Sequence, residues 1–328
     1  MTGIALPRLG MGTAAIGNLY RAVSDDEARE TIDTAIDAGI RYFDTAPHYG
    51  FGLAERRLGE TLAKTDAGRR AIISTKVGRL LTPTTERGTR HGFVDADPFA
   101  PIFDYGADGI RRSHEASLKR LRRDRVEILL AHDLGVMTHG SEHEFHRRAF
   151  LDGGYAAMRA LRDSGAVDAI GIGVNEVAIC LDLLRHVDLD LILLAGRYSL
   201  LDRSAEDSLL DLCAKRGVRV IVGGPYNSGI LAQDDLADGP ALHYNYQPAS
   251  ASVLAHARRL ADVCASYGVP LPAAALQFPL RHPQVSTAIP GIVGVSQVHE
   301  TIARAAIRVP DALWTALEQV INPTNEES

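Results

Sequence analysis

Eight times along the chain a short apolar run gives way to a segment patterned as a helix, and this alternation limits the fold more than any other feature. The runs are "LPRLGMG" near the start, "IRYFDTA", "AIISTKVG" (71–78), "VEILLAHD" (126–133), "AVDAIGIGVN" (166–175), "LDLILLAG", "VRVIVGG" (218–224) and "VSTAIPG" (285–291). They are continuously apolar rather than alternating, which marks strands covered on both faces. The segments between them carry helix punctuation. In 24–39, Ser24 and Glu27 form a capping box, Ala28, Ile32, Ala35 and Ile36 fall at helical spacing, and Gly39 closes as a left-handed cap. Further helices are predicted from Leu53 to Ala63, over 176–186, 204–216, 251–267 and 272–281, and from Ser296 onward. Eight strand–helix units in 328 residues predict an α/β fold, one (β/α)8 TIM barrel. A doubly wound sheet is the rival. It would split at a linker, and no Pro/Ser-rich or charged linker divides the chain, so 1–328 reads as a single domain.

Three insertions break the rhythm, at 79–107, 134–152 and 225–250, each following a strand. In a barrel they lie on the C-terminal face, where long ordered loops shape substrate and cofactor pockets. That face also collects the polar residues at strand ends: Asp44, Lys76, His132 with Asp133, and Asn175, with Tyr49 just beyond the second strand. Each alone has a plain structural explanation. Asp44 could cap a turn, Lys76 reach to solvent, His132 bond to backbone in the core, and Tyr49 pack. Three successive strands ending on an ionisable side chain are harder to dismiss. A lysine buried at the mouth is costly unless an anion such as Asp44 pairs with it. A tyrosine beside that cation would have its acidity, ordinarily near pKa ~10, pulled toward neutrality. It could then both give and take a proton, as interconversion of an alcohol and a carbonyl demands.

Charge and cysteine content narrow the partners. A formal net charge of −6 gives no electrostatic reason for nucleic acid or an anionic membrane as partner. Cys180, Cys213 and Cys264 are far apart, sit in helix-like patterns and form no CxxC, which suggests reduced, buried thiols. The start, "MTGIALPRLG", lacks the basic and apolar regions of an export signal, and no run nears the ~20 apolar residues that span a bilayer. The expectation is a cytoplasmic protein acting on a small molecule, as a monomer or homodimer.

Three motifs point elsewhere and are set aside. "LGMGTAA" (9–15) fits GxGxxA, but the capping box starts the next helix at Ser24, too late to seat a pyrophosphate on its N-terminus. Gly10 and Gly12 read instead as close-approach glycines at the first strand. "HGSEHEFH" (139–146) spaces His139, His143 and His146 as helix-borne metal ligands, but it is polar, lies in an insertion and reads as a solvated loop. No metal is expected. "RRSHEASLKRLRRDR" (111–125) reads as the solvated outer face of a helix.

The string "FDTAPHYGFGLAERRLGE", the lysine of "ISTKVG", the histidine of "LLAHD", and the pair "GIGVN" and "AIPG" resemble the aldo-keto reductases over nearly the whole chain. The resemblance implies a (β/α)8 barrel, a nicotinamide cofactor and a catalytic tetrad of Asp44, Tyr49, Lys76 and His132. In that reading Tyr49 is the proton donor or acceptor, and Lys76, held by Asp44, tunes it. His132 orients the substrate oxygen, and hydride passes between the substrate carbon and the nicotinamide. Cofactor contacts are implied at Gly12, Thr13, Asp44, Asn175, Gly224, Pro225, Asn227, Ser228, Gly229, Gly291, Gln297 and Glu300, with Asn175 bonding the carboxamide. Substrate contacts are implied at Tyr49, His132, Phe103 and Tyr105.

The chain departs from the family pattern in several places. Val174 stands where serine is usual, Ala195 where the sixth strand often has glutamine, and Gly223 where an aromatic stacks on the nicotinamide. Relatives that use NADPH hold its 2′-phosphate with a lysine after "IP" and an arginine six residues later. Here those positions are Gly291 and Gln297. A 2′-phosphate would meet no cation and be repelled by Glu300, whereas a ribose hydroxyl could bond Gln297 or Glu300. NAD is therefore expected rather than NADP, with an oxidative role.

Within the family, "VGGPYNSGIL" and the "FAPIFDYGADGIRRS" insertion are similar to the aldose 1-dehydrogenases acting on L-fucose, D-arabinose and L-galactose, and to pyridoxal 4-dehydrogenase. Both substrate types are cyclic hemiacetals that would be oxidised to lactones, with Tyr49 taking the hydroxyl proton. Asp95, Asp97, Asp104, Tyr105, His243 and Tyr246 offer hydroxyl partners, while Phe93, Phe99 and Phe103 offer an apolar ring face. That mix leaves sugar and pyridine both open. Three alternatives stand beside this reading. A broader NAD(P)H-dependent carbonyl reductase keeps the same residues. A Schiff-base lyase with Lys76 as nucleophile gives Tyr49 no role. A cofactor-sensing regulatory subunit is disfavoured by four filled tetrad positions.

Overall fold

The computed structural model describes residues 4–233, 242–245 and 247–321. Its centre is a sheet of eight strands: β1 (Met11–Gly12), β2 (Tyr42–Asp44), β3 (Ile72–Val77), β4 (Ile128–His132), β5 (Ala169–Val174), β6 (Leu191–Ala195), β7 (Arg219–Gly223) and β8 (Val285–Ile289). Neighbours pair in parallel and in chain order. Bridges from Leu9 to Ala288 and from Gly12 to Gly291 join the first strand to the last and close the barrel. Gly10 is a close-approach glycine, as its context predicts: a Cβ there would lie 2.6 Å from Tyr42 Cδ1.

The continuous apolar runs follow from burial on both faces. Tyr42, Ile128, Leu130, Leu191, Leu193, Ile221 and Ile289 form one buried cluster, and the alternate residues, among them Phe43, Leu129, Ile170 and Ile192, join the larger one. Each such side chain contributes about 1.5–3 kcal/mol relative to exposure. The first long helix, Asp25–Asp37, starts where Ser24 Oγ accepts from the Glu27 N–H at 3.1 Å and is followed by Gly39 at φ +92°. The Glu27 carboxylate turns to Arg21 instead of closing the capping box. Predicted helix 204–216 is a π-turn, Glu206–Leu210, running into Asp211–Arg216, and 272–281 is Leu271–Gln277 followed by a 3-10 turn.

The insertions hold more structure than their composition suggests. The first contains an antiparallel hairpin, Arg79–Pro83 against Phe99–Phe103. The second folds as Val136–His139 and His143–Ala149. This corrects the solvated-loop expectation: His139 and His146 are buried, their rings 4.2 Å apart and packed on Phe103 and Tyr105. Burial pushes His139 down to about 4, with His146 adding to the effect. The third contributes a two-stranded hairpin, His243–Tyr244 against Gln247–Pro248. Tyr246 lies outside the described residues. All three cysteines are free and buried, and burial raises each thiol. Among the described residues no helix is long and apolar enough to cross a membrane.

Candidate active site

Barrel geometry delivers Asp44, Lys76 and His132 to one mouth. Asp44 ends β2, opposite Gly12 of β1, and His132 ends β4. Lys76 lies one residue from the end of β3. Its stem passes close to Gly173 on β5, where an added Cβ would lie 3.1 Å from Lys76 Cε and press on it. Tyr49 arrives on the turn after β2, which packs backbone to backbone on the 15–17 turn. A Cβ at Gly17 would lie 2.8 Å from the Tyr49 carbonyl carbon. That neighbouring turn is pinned by buried Arg57, which donates to the Ile16 and Val23 carbonyls, Asn18 Oδ1 and Asp25.

Lys76 is 2% exposed and spends all three ammonium hydrogens: on Asp44 Oδ2 (2.7 Å), the Thr45 carbonyl (2.9 Å) and the Tyr49 hydroxyl (3.1 Å). Behind it the chain of donors continues. Ser74 donates to Asp44 Oδ1 at 2.7 Å, and the Tyr42 hydroxyl lies 2.8 Å from Ser74 Oγ. Burial opposes the Lys76 charge, but Asp44 and Tyr49 outweigh it and hold the ammonium above the ordinary lysine range. Burial lifts the Asp44 carboxyl, against the pull of Lys76 and Ser74.

His132 is buried and held neutral well below the ordinary histidine range, by burial first and then by Arg79, Lys76 and His48. His132 Nε2 lies 3.4 Å from Asp133 Oδ2, the same oxygen that accepts from Arg79 Nη2 at 2.5 Å. The Arg79 guanidinium in turn lies over the Phe103 ring. Burial of His48 likewise keeps that ring neutral. Two ion pairs and two neutral imidazoles therefore surround the reaction centre, which carries no net charge among these groups.

These side chains line a cavity of about 730 Å³, with His48, Tyr49, Lys76, Arg79, His91, Phe93, Phe103, His132, Asp133 and Asn175 in its wall. Tyr49, Lys76, His132, Asn175 and Phe103 are thus brought together as expected, and Asp44 stands behind Lys76. Tyr105 corrects the expectation of a substrate contact. It is fully buried, its hydroxyl donating to the His132 and Asp133 carbonyls and meeting His139 Nε2, so it supports β4 from behind. Thr13 is also buried, its hydroxyl donating to the Asp44 carbonyl at 2.9 Å, and it fastens β1 to β2 without offering a polar atom to a ligand. Asn227 is buried with its amide spent on Gly196 and Ser199. Of the loop candidates, Asp97 pairs with Arg56, Asp104 accepts from the Gly106 N–H, and His243 stacks on Tyr20.

The remaining cofactor positions suit a nicotinamide dinucleotide. Gly173, Val174, Leu193 and Ala195 give the cavity a small, apolar stretch of wall beside the Asn175 amide. Gly224 and Gly291 are exposed just past β7 and β8, and a Cβ at Gly291 would meet nothing within 4 Å. Pro225 is buried, while Ser228 and Gly229 are partly exposed in the turn that follows. Gln297 Oε1 accepts from the Val293 N–H, and Glu300 accepts from Ser296 and pairs with Arg304. Arg79, Ser74 and Gly17 escaped sequence reasoning. Arg79 alone left a trace, as a charged residue directly after the third strand run, and its partly buried partner Asp133 is the residue after His132.

Comparison with known proteins gives the family and the fold. Residues 8–322 match the Aldo/keto reductase family. The chain is 42% identical to pyridoxal 4-dehydrogenase from Microbacterium luteolum, covering 96% of this chain and 94% of that protein. It is 39% identical to D-threo-aldose 1-dehydrogenase from a Pseudomonas species, covering 97% and 94%. Among solved structures, an aldo-keto reductase from Bacillus halodurans in its holo form superposes with a TM-score of 0.75 at 24% identity, covering 97% of this chain and 93% of that one. That likeness bears on the fold.

Proposed function

Because the chain belongs to the aldo/keto reductase family, as an oxidoreductase acting on CH–OH groups with a nicotinamide cofactor, we propose that it oxidises a cyclic hemiacetal to a lactone. The substrate in this reading is a free aldose such as L-fucose, D-arabinose or L-galactose, and the cofactor is NAD. One observation carries it: the buried ammonium of Lys76, locked to Asp44, donates to the Tyr49 hydroxyl at the wall of the cavity.

An ammonium donating to a phenol oxygen favours the phenolate, so Tyr49 is the base that takes the proton from the anomeric hydroxyl. Asp44 keeps Lys76 charged and in place. His132, as a neutral imidazole, orients the reacting oxygen without adding charge to the site. A bound nicotinamide would supply the acceptor for the hydride that leaves the anomeric carbon. Asn175 holds its carboxamide. The preference for NAD is supported at the rim: residues 290–303 contain neither lysine nor arginine, and the next cation, Arg304, is paired with Glu300.

A second substrate reading, pyridoxal oxidised to its lactone, is favoured by the rings that line the cavity. His48, His91 and Phe93 meet edge to face, with Phe103 in the same wall. The test is NADH formation from L-fucose, D-arabinose, L-galactose and pyridoxal, with NADP in parallel and Tyr49→Phe as control. Turnover of a sugar with NAD, lost by roughly 10²-fold or more in Tyr49→Phe, is expected. Turnover of pyridoxal alone would transfer the mechanism to the second substrate. No reduction of NAD or NADP by any of the four would refute both.

A further inference from the structure

Arg197, two residues past β6, does not line the active-site cavity, yet it bonds to three segments that do. Its Nε donates to the Asn175 carbonyl at 2.7 Å. Its Nη1 donates to Asp202 (2.8 Å) and to Asn245 Oδ1 (3.0 Å), and Nη2 approaches Met137 Sδ at 3.9 Å. Met137 and Asn175 are in the cavity wall. So is Gln247, which pairs opposite Tyr244 in the hairpin whose turn holds Asn245. One planar cation thus ties the end of β5, the segment after β4 and the third-insertion hairpin at a single point.

A neighbouring bond acts in the same sense. Glu176 accepts from the Met137 N–H at 3.0 Å, and its carboxylate fills the space a side chain at Gly135 would need. Position 175 is therefore held from both sides, at its carbonyl by Arg197 and through the next residue by Met137. We propose that Arg197 is a positioning residue: it fixes the peptide of Asn175, hence the direction of that amide, and anchors the 243–248 hairpin beside it. The assignment rests on the cofactor reading above, in which Asn175 holds the nicotinamide carboxamide.

The bonding pattern requires arginine. Three acceptors lie around one planar guanidinium in fixed directions, and the compact ammonium of a lysine does not reproduce that spread of donors. Nor is Arg197 needed merely to neutralise Asp202. The Asp202 Oδ1 already accepts from the Ser204 N–H (3.0 Å) and hydroxyl (2.6 Å), so without the arginine that oxygen stays bonded within its own turn and only Oδ2 loses the guanidinium. The consequence of losing Arg197 is local and falls on the cofactor half of the site.

The experiment measures kcat, the KM for NAD, the KM for the sugar, and NADH binding by fluorescence in the full chain, for Arg197→Ala and Arg197→Lys. Expected is a rise of roughly 10- to 100-fold in the NAD KM and NADH Kd of both variants, with the sugar KM within about threefold of its original value. Millimolar guanidinium chloride is expected to restore cofactor affinity to Arg197→Ala and not to Arg197→Lys, a response that a general packing defect would not give. An unchanged NAD KM in Arg197→Ala overturns the inference and leaves the proposed function standing. An original chain that binds neither NAD nor NADP overturns both. Should Arg197→Ala not fold, Asn245→Gly carries the test. Glycine suits the left-handed backbone there (φ +49°) and removes the side chain that meets Arg197, so a severalfold rise in NAD KM is expected; no rise overturns the anchoring role.

Discussion

Replacing Asp44 with asparagine keeps the shape of the side chain and removes the carboxylate bonded to Lys76. The lysine is 2% exposed and the aspartate side chain 3%, so neither charge has water to fall back on. Leaving one member of such a pair uncompensated costs about 3–5 kcal/mol, and Lys76→Met should cost a similar amount by stranding Asp44. The double variant removes both charges. It loses the Lys76 bonds to the Thr45 carbonyl and the Tyr49 hydroxyl at about 1 kcal/mol each, so it should be destabilised by only about 2 kcal/mol, giving a coupling of about 4 kcal/mol or more. The pH dependence carries a sign. In the original chain Lys76 is held above the ordinary lysine range, so its contribution is complete below pH ~10.4 and fades as pH rises through the folded value. In Asp44→Asn burial loses its main opponent and lowers the lysine, so the penalty is full at low pH and is relieved as pH rises toward ~10.4. Urea unfolding followed by circular dichroism, across neutral to alkaline pH, reads both effects. NADH formation should fall by roughly 10²- to 10⁴-fold in all three variants. Single costs below about 1 kcal/mol, or additive ones, would place the pair among exposed ion pairs and refute the reasoning.

Three further outcomes follow from the same geometry. Gly291→Lys with Gln297→Arg should raise kcat/KM for NADP by roughly 10- to 100-fold, since the space at Gly291 is open and each new cation can bond a 2′-phosphate; no gain would mean that the ribose end lies elsewhere. Arg79→Met removes a cation that helps hold His132 neutral, so the acidic limb of the kcat/KM profile should move to higher pH, and an unmoved limb contradicts the Arg79–Asp133–His132 arrangement. Gly17→Ala should cost about 1–3 kcal/mol in urea unfolding and lower kcat, because the new Cβ displaces the Tyr49 peptide; unchanged stability and kcat together would show that the two turns part freely.

What could be read from the chain beforehand, and what could not, divides along a physical line. Strands buried on both faces must be apolar throughout, so the barrel was plain in eight runs of composition. The helical segments 204–216 and 272–281 were placed to within two residues, but periodicity does not register where an α-helix changes to a π-turn or a 3-10 turn. Tyr105 and His139 looked like loop polar groups open to substrate or solvent. The Tyr105 hydroxyl is satisfied by the carbonyls of residues 132 and 133, far along the chain, and it meets the His139 imidazole there; no local pattern encodes that meeting. Arg197 was invisible for the same reason. Its acceptors, the Asn175 carbonyl and the Asn245 amide, come together only once the barrel has closed.

The tetrad candidates were legible because they are expensive. Apolar residues of similar volume in place of Asp44 and Lys76 would leave the barrel as stable or more so, since a buried pair rarely repays its desolvation. Packing therefore gives no reason for a charge at the end of an apolar strand, and two such charges on adjacent strands give each other one. What neither charge explains is why the lysine's third hydrogen goes to a tyrosine on the cavity wall rather than to a second carbonyl. A carbonyl would satisfy the ammonium equally well and leave the cavity inert. Spending that bond on a phenol stabilises only one thing that a carbonyl would not, the phenolate. The cost of the buried pair is thus offset not in the stability of the fold but in the acidity of one hydroxyl.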